Sequence, residues 1–145
     1  MTGLTRGIEL ERASHRVVDG SVEGEMLAAL GRTVGAELAP ATIMVDGATR
    51  FEVEGADAAG TVFVQFVANQ GEFKSAHRNR VSANLFKLAW LKGSLFPDAR
   101  IMLCVSGTAA QAFTQTGWAT IAARDLGIDV VVYGNAAITP LFAGE

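Results

Sequence analysis

Residues 50–68 read RFEVEGADAAGTVFVQFVA, and this stretch decides the fold. Two β-like runs, Arg50 to Glu54 and Thr61 to Ala68, flank the loop Gly55-Ala56-Asp57-Ala58-Ala59-Gly60, which predicts neighbouring strands of an antiparallel meander. Period-two alternation sets Phe51 and Val53 against Glu52 and Glu54 in the first run. In the second it sets Val62, Val64, Phe66 and Ala68 against Phe63, Gln65, Val67 and Asn69. A strand apolar on both faces is a central strand, covered from both sides.

Toward the N-terminus, Asp46-Gly47 is a turn signal that joins Arg50 to Glu54 to a third β-like segment, Thr42 to Val45. Before it, from Ser21, Val22, Met26, Leu30, Val34 and Leu38 recur every fourth position and predict one helix that ends before Pro40. Gly24, Gly31 and Gly35 each weaken that helix by roughly 1 kcal/mol relative to alanine, so tertiary packing has to hold it. Residues 1–20 are weakly patterned, with Ile8-Glu9-Leu10 the only hint of order, and read as an N-terminal arm.

Toward the C-terminus, the spacing predicts a helix over Ala76 to Lys92 with two apolar faces. Val81, Leu85 and Leu88 make one; Phe86 and Trp90 project from nearly the opposite side; Arg80 and Lys87 share a third direction. Two apolar faces need two partners, and a homo-oligomer through Phe86 and Trp90 is expected. Arg100 to Val105 reads as a strand, Thr108 to Leu126 as a helix with Gly127 as its cap, Ile128 to Tyr133 as a final strand, and 135–145 as a loop-like tail. A single domain over 21–134 results, with no internal repeat.

Composition limits the functional classes. With 145 residues, half of them apolar, the chain can bury a substantial core without metal or disulfide staples. The net charge of −3 excludes a bulk basic surface and confines any nucleic-acid contact to a local patch. The single cysteine, Cys104, sits in an apolar run and rules out an internal disulfide. No apolar run has the length or flanks of a signal peptide or membrane span, so a cytoplasmic protein without membrane contact is expected.

The order α-β-β-β-α-β, continued by a further helix and strand, predicts an α/β fold with a mixed sheet flanked by helices. This order, with Glu54-Gly55, the run from Gln65 through Gly71, Lys74 and the following helix, resembles the PD-(D/E)XK (restriction-endonuclease-like) superfamily, and within it a group of small actinobacterial proteins. The resemblance spans most of the chain. It implies that Glu54 matches the motif's Asp, that Gln65 matches its Glu, and that Asn69-Gln70-Gly71 stands where the group shows His-Gln-Gly. Lys74 is retained, whereas Val67 holds the place of the wider superfamily's lysine.

Two readings follow. In the first the chain is a divalent-metal-dependent DNA endonuclease: Glu25, Glu54 and Gln65 hold Mg²⁺ or Mn²⁺, and Glu54, Gln65 and Lys74 are the catalytic set. Lys74, Arg78, Arg80 and Lys87 then hold the DNA backbone beside a helix N-terminus. In the second the chain is a catalytically inactive module of the same fold that binds DNA or protein as a homo-oligomer. Glu23, Glu25, Glu52 and Glu54 are then solvated charges, Gln65 a hydrogen-bonded polar residue, and Asp57 a turn residue. Two further features carry weaker signals. Ser106-Gly107-Thr108 reads as an anion-binding turn or as an ordinary helix cap, and His77 and His15 are too far apart in sequence to make a metal motif.

Overall fold

The computed structural model describes residues 7–12, 22–68, 72 and 74–144. Seven strands form one mixed sheet in sequence order: β1 (Ile8–Arg12), β2 (Ala39–Val45), β3 (Thr49–Ala56), β4 (Val62–Val67), β5 (Arg100–Ser106), β6 (Ile128–Gly134) and β7 (Ala137–Phe142). β1 to β4 are antiparallel, β4, β5 and β6 run parallel, and β7 returns antiparallel to β6. The chain is therefore α/β, as expected. Helix α1 (Val22–Val34) covers one face of the sheet; α2 (Ser75–Trp90) and α3 (Trp118–Asp125) cover the other as the two crossovers of the parallel part.

The alternation in β4 sorts as its sequence predicts. Val62, Val64 and Phe66 pack beneath α1 with Met26 and Leu30, while Phe63 and Val67 pack beneath α2 with Val81 and Leu88. All six residues of β4 are buried. The largest free-energy source is this two-sided burial, roughly 1.5–3 kcal/mol for each fully enclosed large apolar side chain.

Four expectations differ from the structure. The N-terminal arm contains β1, which pairs with β2 from Ile8↔Val45 to Arg12↔Ala41. The loop-like tail contains β7, and its end is pinned: Gly144 N–H donates to Asp129 Oδ1 at 2.7 Å, while Asp129 Oδ2 pairs with Arg100 at 3.0 Å. The helix expected over Thr108 to Leu126 is broken into a 3₁₀ turn, Ala109–Ala112, and α3. The break falls on Thr114, Thr116 and Gly117, poor helix formers, and Thr120 Oγ1 donates to the Thr114 carbonyl across it at 2.6 Å. Finally, α2 stops at Trp90 and widens into a π-helical turn, Leu91–Leu95, in which Phe96 N–H donates to the Leu91 carbonyl at 2.7 Å.

One irregularity positions the candidate site. β2 and β3 pair Ala41 with Val53 and Ala39 with Ala56, so Pro40 alone faces both Glu54 and Gly55. Proline cannot donate to the ladder, and a two-for-one bulge is where a sheet tolerates it. The bulge places Gly55 against α1: a Cβ there would lie 2.7 Å from Leu27 Cδ1 and 2.5 Å from Val64 Cγ1. Only glycine lets the strand approach this closely.

Candidate functional site

β3 and β4 share only two residue pairs, Gly55↔Val64 and Ala56↔Phe63. Beyond them the backbones part, and side chains take over the hydrogen bonding. The Glu54 N–H donates to Gln65 Oε1 at 2.8 Å, and Glu54 Oε1 accepts from the Phe66 N–H at 2.9 Å. Gln65, 3 % exposed, completes the network from its other end, where Nε2 donates to Asn84 Oδ1 on α2 at 2.8 Å. Asn84 Nδ2 in turn donates to the Arg80 carbonyl at 3.0 Å. The carboxylate and both carboxamides each serve backbone or one another, so that the buried Gln65 has a partner at both ends of its amide.

The structure thus brings Glu54 and Gln65 together and adds Asn84, which the sequence reading missed. A polar residue on the inward flank of α2, level with a buried glutamine, was the available signal. It does not bring Glu25 to them. Glu25 lies on the α1 side of the sheet, where Tyr133 Oη donates to its Oε2 at 3.3 Å. Partial burial, followed by that neighbouring carboxylate, holds the Tyr133 phenol above its ordinary pKa. Lys74 stands exposed at the head of α2, and its N–H is capped by His77 Nδ1 at 3.0 Å. Ten residues separate it from Asn84, about 15 Å of helix, well beyond a lysine's reach. Val67 is fully buried. Asn69-Gln70-Gly71 and His15 lie outside the described residues.

These donors do not fit a hard dication. Mg²⁺ or Mn²⁺ needs several anionic oxygens aimed at one point, whereas here one carboxylate is turned toward the Phe66 N–H and the Gln65 carbonyl toward the Glu54 N–H. Among the described residues no three of His, Cys, Asp and Glu are grouped to hold a metal ion. The cations of α2 do not form one stripe either. Lys74 and Arg78 share a side, Arg80 and Lys87 share another, and Lys87 Nζ is held by the Glu52 carbonyl at 3.2 Å. Ser106 Oγ accepts from the Ala109 N–H at 3.3 Å, where the four-residue 3₁₀ turn begins. Asp57 is a turn residue as read. Burial raises its pKa, but bonds from the Thr61 hydroxyl and the Val62 and Thr61 N–H groups outweigh it and leave the carboxyl below its usual range.

The chain matches no family model, no curated protein and no solved structure.

A second feature lies where α2 meets α3. Phe86 is 81 % exposed and Trp118 74 %, with Leu126 and Ile121 also open to solvent. Phe86, Trp118 and Leu126 border a hollow of about 240 Å³ floored by Leu85, Ala89, Ala122 and Ile128. Trp90, expected to extend Phe86, instead stacks on Phe51 of β3 with ring centroids 4.9 Å apart. The exposed apolar surface therefore runs from Phe86 toward α3. No helix among the described residues is long and apolar enough to cross a membrane.

Proposed function

We propose that this chain is a restriction-endonuclease-like domain that does not cleave phosphodiesters and works as a protein-interaction module. The order α1-β2-β3-β4-α2-β5, with β5 parallel to β4, supports the first half of that reading. So does the meeting of Glu54 and Gln65 across β3 and β4, the two positions that match the superfamily's acidic pair. The observation that carries the non-cleaving part is the engagement of Gln65 at both ends of its amide, by Glu54 N–H and by Asn84, and the exposed Phe86 and Trp118 support the interaction part. A glutamine held in this way joins two strands to a helix. It offers no charge to a metal and no basic atom to a water molecule.

A plasmid-nicking assay with Mn²⁺ or Mg²⁺ tests the reading. Wild type and Glu54→Ala are expected to leave supercoiled DNA intact alike. Divalent-dependent nicking by wild type that disappears in Glu54→Ala overturns it in favour of a divergent nuclease.

A further inference from the structure

We infer that the α2–α3 face is the contact surface for a second copy of this chain, paired about a two-fold axis. This deepens the interaction-module reading and rests on it.

Area is the first argument. Phe86, Trp118 and Leu126, 81, 74 and 51 % exposed, present on the order of 400 Å² of mostly apolar surface. A stable interface buries roughly 800 Å² per partner, about 65 % of it apolar in homodimers, so the patch supplies most of the apolar part and the surrounding rim the rest.

Shape is the second. An isologous contact requires one surface to carry both the projecting group and the recess that receives it. This surface does: Phe86 and Trp118 project beside a hollow of about 240 Å³ lined by Leu85, Ala89, Ala122 and Leu126.

Sedimentation velocity of the full chain over a dilution series, with Phe86→Glu and Trp118→Ser, tests the pairing. Both side chains are largely exposed, so both variants are expected to keep the wild-type thermal midpoint. Wild type should move from the mass of the 15.2 kDa chain to twice that mass as concentration rises through the micromolar range. Each variant should weaken the association by roughly tenfold or more. A second readout uses Trp90→Phe, which leaves Trp118 as the only one of the two tryptophans, so its emission should shift to the blue over the same range. A wild type that stays monomeric, a dimer that neither variant weakens, or emission insensitive to concentration overturns the inference. Metal-dependent nicking would defeat the non-cleaving reading and leave the dimer standing; a monomer that does not nick would do the reverse.

Discussion

Glu54 and Gln65 face each other where β3 and β4 part, with the Glu54 N–H 2.8 Å from Gln65 Oε1 and the Glu54 carboxylate turned to the next N–H of β4. The two side chains stand in for the backbone pairing that β3 and β4 lack beyond Gly55↔Val64. Their role is to close a fork in the sheet, and Asn84 ties that closure to α2.

Gln65→Ala is therefore a stability variant. It leaves the Glu54 N–H and the Asn84 carboxamide without this partner in a part-buried setting and is expected to cost about 2–3 kcal/mol in chemical unfolding. Asn84→Ala should cost less, because its carboxamide reaches the protein edge. A double-mutant cycle should give a coupling of about 1 kcal/mol between the two. Additive losses would show that the 2.8 Å contact contributes nothing to the fold.

Gly55→Ala probes the bulge from the other side. Its new methyl meets Val64 and Leu27, both buried, so the strand or α1 has to shift, at a cost of about 1–3 kcal/mol. Gly93→Ala, where a Cβ meets nothing, serves as the control and should leave the unfolding midpoint within about 0.5 kcal/mol of wild type. Equal effects at the two positions would remove the close approach from the account.

Cys104 lies in the middle of the parallel sheet, fully buried, and burial pushes its thiol up to about 12. A thiol reagent at neutral pH should label the folded chain only as fast as it unfolds. Because the folded value lies above the unfolded one, the stability tied to this thiol is complete below about pH 9. It is lost as pH rises from there toward 12. Cys104→Ala should lack that part of the alkaline decline. Rapid labelling under native conditions contradicts the placement.

What the sequence revealed depended on how local the signal was. The β2–β3 turn was readable because Asp46 and Gly47 both take positive φ, 55° and 69°, and Asp-Gly is the expected pair there. The β6–β7 turn uses the same geometry at Asn135 and Ala136, φ 54° and 59°, but an alanine in the second place hid it, and with it the last strand. β1 was missed because five residues with alternating charge carry little signal without the partner strand that orders them. At the site, Glu54 and Gln65 were paired only through the resemblance, whose motif sets the two positions on adjacent strands. Glu25 was not separable from them, since which face of the sheet α1 covers depends on packing that no residue spacing encodes. Trp118 was equally opaque: its exposure follows from the break at Thr114 to Gly117, which turns one expected helix into two short pieces.

The most direct test of the closed fork is a calorimetric titration of Mn²⁺ into the purified wild type. The account predicts no saturable heat, with a trace that overlays that of Glu54→Ala. One-site binding in wild type that vanishes in Glu54→Ala would contradict it, because the Glu54 carboxylate would then be serving a metal rather than the Phe66 N–H.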